Sequence, residues 1–108
     1  MSSTDTNQTH TFVERAQSGD QEAFGELVKL HHSQIYGQIL RMVRNSEDAQ
    51  EIAQLTWIKV WNKIDSFRFE SAFSSWLYRV ATFTALDAIR KRNSRRELSY
   101  ENPEESGD

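Results

Sequence analysis

The sequence predicts an all-α fold, a small bundle of about four helices, on three observations. Apolar residues recur at steps of three and four over long stretches. Glycine is scarce, at four residues, and the single proline stands at position 103. No run alternates apolar and polar residues as a half-buried strand would. With 108 residues, 37% hydrophobic and 27% charged, the chain makes one domain with one modest core.

Residues 1–10 are polar and read as a disordered tail. Thr11-Phe12-Val13-Glu14 has the spacing of a capping box, opening a short helix that Ser18-Gly19 ends. Asp20 is the next N-cap. The second helix repeats Phe24, Leu27, Val28, His31, Ile35, Ile39, Met42 and Val43, which keep one face inward as far as about Arg44. Asn45-Ser46 is a turn with Ser46 as the cap, and Glu47 and Asp48 stand in the first turn of the third helix, where its dipole favours acids.

That third helix, over 47–63, has a core face of Ala49, Ile52, Ala53, Thr56, Val60 and Ile64. It also carries Leu55, Trp57, Ile58 and Trp61, so its apolar surface wraps beyond one side. Either the helix is central or it shows aromatic surface to a partner, and the pattern leaves both open. Residues 66–71 break the period. Ser71 then caps a fourth helix with Phe73, Trp76, Leu77, Val80, Ala81 and Thr84 inward, ending in Arg90-Lys91-Arg92. Beyond it the chain turns acidic around Asn102-Pro103 and reads as a frayed end and a linker.

The formal net charge of −3 hides an uneven layout. Residues 97–108 hold five acids and no base, and the remainder carries 13 bases against 11 acids. Between 68 and 96, Arg68, Arg79, Arg90, Lys91, Arg92, Arg95 and Arg96 face only Glu70 and Asp87. Glu47, Asp48 and Glu51 instead cluster without a base, and one acidic and one basic end suit two unlike partners.

Several chemistries have no starting point. The chain has no cysteine, which removes disulfides, thiolate metal sites and cysteine nucleophiles. His31-His32 has Leu27, Val28, Ile35 and Tyr36 at helical ligand spacing, so no metal site is expected. There is neither a glycine-rich phosphate loop nor a carboxylate pair on an apolar face, and no enzymatic activity or cofactor is predicted. The polar N-terminus and the lack of a long apolar run predict a soluble chain with neither an export signal nor a membrane span.

The basic stretch over 90–96 admits a plain reading as a solvated helix end, where cations suit the dipole. Arg79, Phe83 and Arg90 nevertheless fall near one another on the side of the fourth helix away from Trp76 and Val80, with Phe69 and Tyr78 nearby. Bases beside aromatics are what a strand with charged phosphates and stackable bases needs. The same aromatics are equally suited to a core.

Four segments, Gly19-Asp20-Gln21-Glu22-Ala23-Phe24, Asp48-Ala49-Gln50-Glu51-Ile52-Ala53-Gln54, Asp65-Ser66-Phe67-Arg68 and Trp76-Leu77-Tyr78-Arg79-Val80-Ala81, recur in order in a known family. The chain resembles the region 2 domain of extracytoplasmic-function (ECF) sigma factors, over 11–96. The resemblance implies a cytoplasmic transcription-initiation subunit that binds RNA polymerase core on the coiled coil of its beta-prime subunit and recognises and melts the promoter minus-ten element. It implies no cofactor. It makes residues 97–108 an acidic linker toward a region 4 helix-turn-helix domain that the chain lacks, and adds an anti-sigma factor as a partner that many members have.

Carried onto this sequence, Asp48, Glu51 and Gln54 face the polymerase, with Leu55 and Trp61 as apolar anchors beside them. The loop over 66–73, with Phe67, Arg68, Ala72 and Phe73, resembles the family's pocket for a base flipped out of the non-template strand. Arg79, Thr82, Phe83, Arg90, Lys91, Arg92, Arg95 and Arg96 complete the DNA side. Three departures stand out: Phe83 where the family commonly has Asn, preceded by Thr82 where Arg is frequent; Phe69 where Gly follows Phe-Arg; and Leu55 where Glu is common. Two other readings stay open on the residues alone, a helical domain that binds duplex DNA and a protein-interaction module using Trp57 and Trp61.

Overall fold

A computed structural model describes the backbone of residues 2–101 and the side chains of residues 8–95. Among the described residues four helices make up the bundle: α1 (Ser2–Gln17), α2 (Gln21–Val43), α3 (Ser46–Lys63) and α4 (Phe73–Glu101), with a 3-10 turn (Ile64–Ser66) after α3. No strand occurs among the described residues. Helices α2 and α3 pack on each other, α1 lies on α2, and α4 runs across both α2 and α3. The all-α expectation is borne out.

The first boundary differs from the sequence expectation. α1 opens at Ser2 rather than Thr11. Val13 and Ala16 are buried and anchor the helix, and once a turn is nucleated each further residue adds a hydrogen bond at little cost, so the polar stretch before Thr11 is drawn into it. At the other end Gly19 takes φ +96, its N–H reaching the carbonyl of Ala16 at 2.9 Å. This left-handed position closes α1 and suits glycine.

Asp20 caps α2 as expected, its carboxylate accepting from the N–H of Ala23 at 3.2 Å. Arg15 donates to the same carboxylate from Nε at 2.9 Å and Nη2 at 2.8 Å. The Ala23 N–H and the Arg15 guanidinium hold the Asp20 carboxyl below its ordinary range. The cap of α3 is Asn45, not Ser46. Arg44 ends α2 in a left-handed conformation, which leaves Asn45 extended with its side-chain oxygen 2.9 Å from the N–H of Asp48.

The start of α4 is corrected in the same way. Ser71 does not cap it; its hydroxyl donates to the carbonyl of Ala72 at 3.2 Å. The Ala72 carbonyl accepts the first helical bonds, from Ser75 and Trp76. α4 also passes Arg92 and continues to Glu101, because no glycine or proline interrupts it before position 103. The first five residues of the expected linker are therefore helical, and 102–108 lie outside the described residues.

Leu27, Ile35, Ile39, Val60, Ile64 and Leu77 are fully buried, each stabilising by about 1.5–3 kcal/mol on burial. Buried Thr56 and Thr84 satisfy their hydroxyls within their own helices, on the carbonyls of Ile52 at 2.8 Å and Val80 at 2.7 Å. The choice left open for α3 resolves residue by residue. Trp57 is buried and Trp61 half-buried, both edge-on to Phe24 of α2, whereas Leu55 is 46% and Ile58 57% exposed.

Candidate nucleic-acid interface

The segment joining α3 to α4 is held rigidly for a loop. Gln17 at the end of α1 donates its side-chain amide to the carbonyls of Ile64 and Phe67, both at 2.9 Å. Phe67 and Phe73 are buried and stand edge to face at 5.7 Å, with Trp76 within 5.8 Å of each. These rings fix the loop on the end of the bundle. Sequence reasoning passed over Gln17, because a glutamine near a helix end carries no signal of a long-range bond.

Beside the loop lies a cavity of about 490 Å³, walled by Phe67, Phe69, Ala72 and Phe73, by His31 and Gln34 of α2, and by Thr9 and His10 of α1. The α1 wall falls within the stretch that the sequence assigned to a disordered tail. His31 meets Phe73 edge-on at 5.6 Å, and its Nε2 is buried without a hydrogen-bond partner among the described residues. Burial lowers the His31 pKa below its ordinary 6.5, so the ring is neutral at pH 7.

Phe69 has φ +61, a left-handed conformation that costs a non-glycine residue roughly 1–2 kcal/mol. It is 38% exposed and its ring lies 4.8 Å from Phe67 and 4.4 Å from His10. Those contacts offset the backbone cost. Next to the cavity, a smaller hollow of about 110 Å³ shares Phe67 and Ser71 with it and adds Arg68, Arg79 and Glu70.

Along α4 the outer stripe is Arg79, Phe83, Leu86 and Arg90, at helical steps of three and four. Phe83 is 66% exposed, which decides against its packing in the core. Thr82 is half-buried and its hydroxyl accepts from Gln38 of α2 at 2.7 Å, while the same amide donates to the Tyr78 carbonyl at 3.2 Å. The Tyr78 hydroxyl in turn donates to Gln34. α2 thereby fixes the inner edge of the stripe.

The basic residues that the sequence grouped together are divided. Arg90 stays on the stripe with Phe83, whereas Lys91, Arg92 and Arg95 turn toward α3 and line a groove of about 370 Å³ with Asp48, Glu51 and Leu55. Arg92 donates to the Asp48 carboxylate, and Lys91 pairs with Asp87 at 3.3 Å. One residue from each expected surface is thus engaged with the other. The Arg96 side chain lies outside the described residues.

On α3, Glu51, Gln54, Leu55 and Ile58 form an exposed stripe, and Asp48 stands half-buried at its start. Trp61 is partly withdrawn against Phe24, 4.9 Å away. Ile58 belongs to this surface by its exposure. Its spacing of seven from Glu51 was the signal that would have found it. Among the described residues there is no group of three or more metal-ligating side chains.

The Sigma-70 region 2 family model matches residues 27–95, which takes in α3, the loop and most of α4. The chain belongs to the sigma-70 region 2 family. It is 40% identical over 80 residues to the ECF RNA polymerase sigma factor SigW of Bacillus subtilis, covering 74% of this chain and 43% of that protein. Against the RNA polymerase sigma-H factor of Pseudomonas aeruginosa the identity is 41% over 88 residues, covering 82% and 46%. The chain spans less than half the length of these relatives.

Solved structures agree. An engineered region 2 of sigmaE, determined by NMR in complex with GTAAAA, superposes with a TM-score of 0.76 at 36% identity, covering 81% of this chain and 90% of that one. CnrH in complex with the cytosolic domain of CnrY superposes with a TM-score of 0.69 at 26% identity, covering 82% and 61%. The resemblance to region 2 of ECF sigma factors is borne out, and the bundle is a region 2 fold.

Proposed function

We propose that this region 2 domain serves transcription initiation, docking on RNA polymerase core through α3 and taking the non-template strand of the minus-ten element on α4 and the loop before it. The observation that carries the reading is the outer stripe of α4. An aromatic ring two-thirds exposed between two arginines, one turn before it and two turns after it, beside an aromatic cavity, is arranged for stacked bases and their phosphates. That a relative of the same fold holds GTAAAA supports the assignment.

On this reading Arg79 and Arg90 meet phosphates, Phe83 stacks on a base, and the cavity beside Phe67, Ala72 and Phe73 receives a flipped one, with Arg68 next to it. Opening a duplex costs a few kcal/mol per flipped base, which binding to the strand offsets without ATP or metal. Glu51, Gln54, Leu55 and Ile58 supply the beta-prime surface, with Asp48 and Trp61 at its margins. Apolar anchors flanked by acids suit a basic coiled coil. The domain works in the cytoplasm without catalysing a reaction, and that CnrH, of the same fold, is held in complex with the cytosolic domain of CnrY supports an anti-sigma factor as a further partner.

Binding of the domain to core polymerase, and to single-stranded and duplex minus-ten oligonucleotides, tests the proposal. Preference for the single strand together with core binding is the expected result. Preference for duplex would instead favour groove insertion by α4, and binding to neither DNA form would leave a protein-interaction module.

A further inference from the structure

His10 of α1 and Phe69 of the loop before α4 are in ring contact. Their ring centroids are 4.4 Å apart, too close for a third ring to lie between them, and both line the cavity beside the loop. A base entering along this wall must therefore take the place of one of the two. His10 is the one able to yield: its side chain is 52% exposed and, among the described residues, its other partner is Glu14, at 3.3 Å within the same helix. Phe69 is fixed by its left-handed backbone and by Phe67 behind it.

We propose that His10 and Phe69 form a latch over the cavity, and that a base flipped from a single strand opens it by replacing His10 on the Phe69 ring. The inference rests on the single-strand reading above and names the residues that govern entry to the same site. A cavity of about 490 Å³ falls within the roughly 300–1,000 Å³ typical of sites for small organic ligands. The rings of His10, His31, Phe67, Phe69 and Phe73 line it, and on this proposal Arg68 and Arg79, which line the adjoining hollow with Glu70, meet the phosphate of the entering nucleotide. Stacking on a phenyl ring accepts every base, so the latch selects for an unpaired base rather than for its identity.

The two latch residues act in opposite directions. Removing the ring that the base needs, by Phe69→Gly, should weaken binding of a single strand about tenfold, while glycine accepts φ +61 without strain and keeps the fold. Removing the ring that the base must displace, by His10→Ala, should strengthen binding several-fold. The measurement is fluorescence anisotropy with single strands carrying GTAAAA or hexamers randomised at each position, each also prepared with one abasic site in turn. Both effects should vanish when the abasic site falls at the flipped position. Effects of equal sign for the two variants, or effects that persist at every abasic position, overturn the latch while leaving strand binding intact. If the unaltered domain binds none of the strands, the single-strand reading itself fails and the latch with it.

Discussion

His31 is a polar ring committed to an apolar setting. Its burial lowers its pKa below 6.5, so in the window from about 6.5 down to the folded value the unfolded chain binds more protons and stability falls as the pH falls. Below the folded value that contribution is gone. Thermal midpoints between pH 7.5 and 5 should therefore drop more steeply for the wild-type domain than for His31→Phe, and parallel curves would contradict this. Phe83 and Phe73, two phenylalanines on one helix, differ as sharply. Phe73→Ala removes a buried ring and should cost about 3–5 kcal/mol. Phe83→Ala should change stability by no more than about 0.5 kcal/mol yet weaken single-strand binding by about 1–3 kcal/mol, which denaturation and anisotropy together would establish.

At the level of elements, α3 and α4 are joined by the pair of Asp48 and Arg92, both about one-third exposed. Such a pair is worth at most about 1 kcal/mol once solvent screening is allowed for, but it complicates any charge reversal on α3. A lysine at position 48 would face Arg92 as well as the polymerase. Glu51→Lys with Leu55→Ala strikes two exposed positions and is the cleaner test. Core polymerase affinity should fall at least tenfold while the circular dichroism and thermal midpoint stay as they were. Unchanged affinity would remove α3 from the docking surface.

For the whole molecule, the distribution of charge sets the salt response. Affinity for a single strand should fall with rising salt at a logarithmic slope of about −0.7 for each phosphate neutralised. Arg90→Ala should flatten that slope by about 0.7, since Arg90 stands on the exposed stripe with Phe83. Arg92→Ala should flatten it less, because its guanidinium already answers Asp48. Equal effects at the two positions would mean that the α3–α4 pair opens when DNA binds.

Much of this was legible in the linear order of residues. Steps of three and four placed Leu27, Ile35, Ile39, Ala53, Val60 and Leu77 in the core, since helical periodicity is a local property. Asp20 was recognisable as a cap, because its bond reaches only three residues ahead. Local rules also misplaced Ser46 and Ser71, where a neighbour's backbone conformation chose the cap, and halted α4 at its basic cluster although nothing there breaks a helix. Only the tertiary structure decided what depends on distant partners. Gln17 pins a loop some fifty residues away, α1 supplies one wall of the cavity, Trp57 turns inward while Ile58 faces out, and one run of basic residues is divided between Phe83 on one side and Asp48 on the other. The physical reason is that periodicity tells which residues share a helix face, whereas which neighbour covers that face is settled by packing between helices.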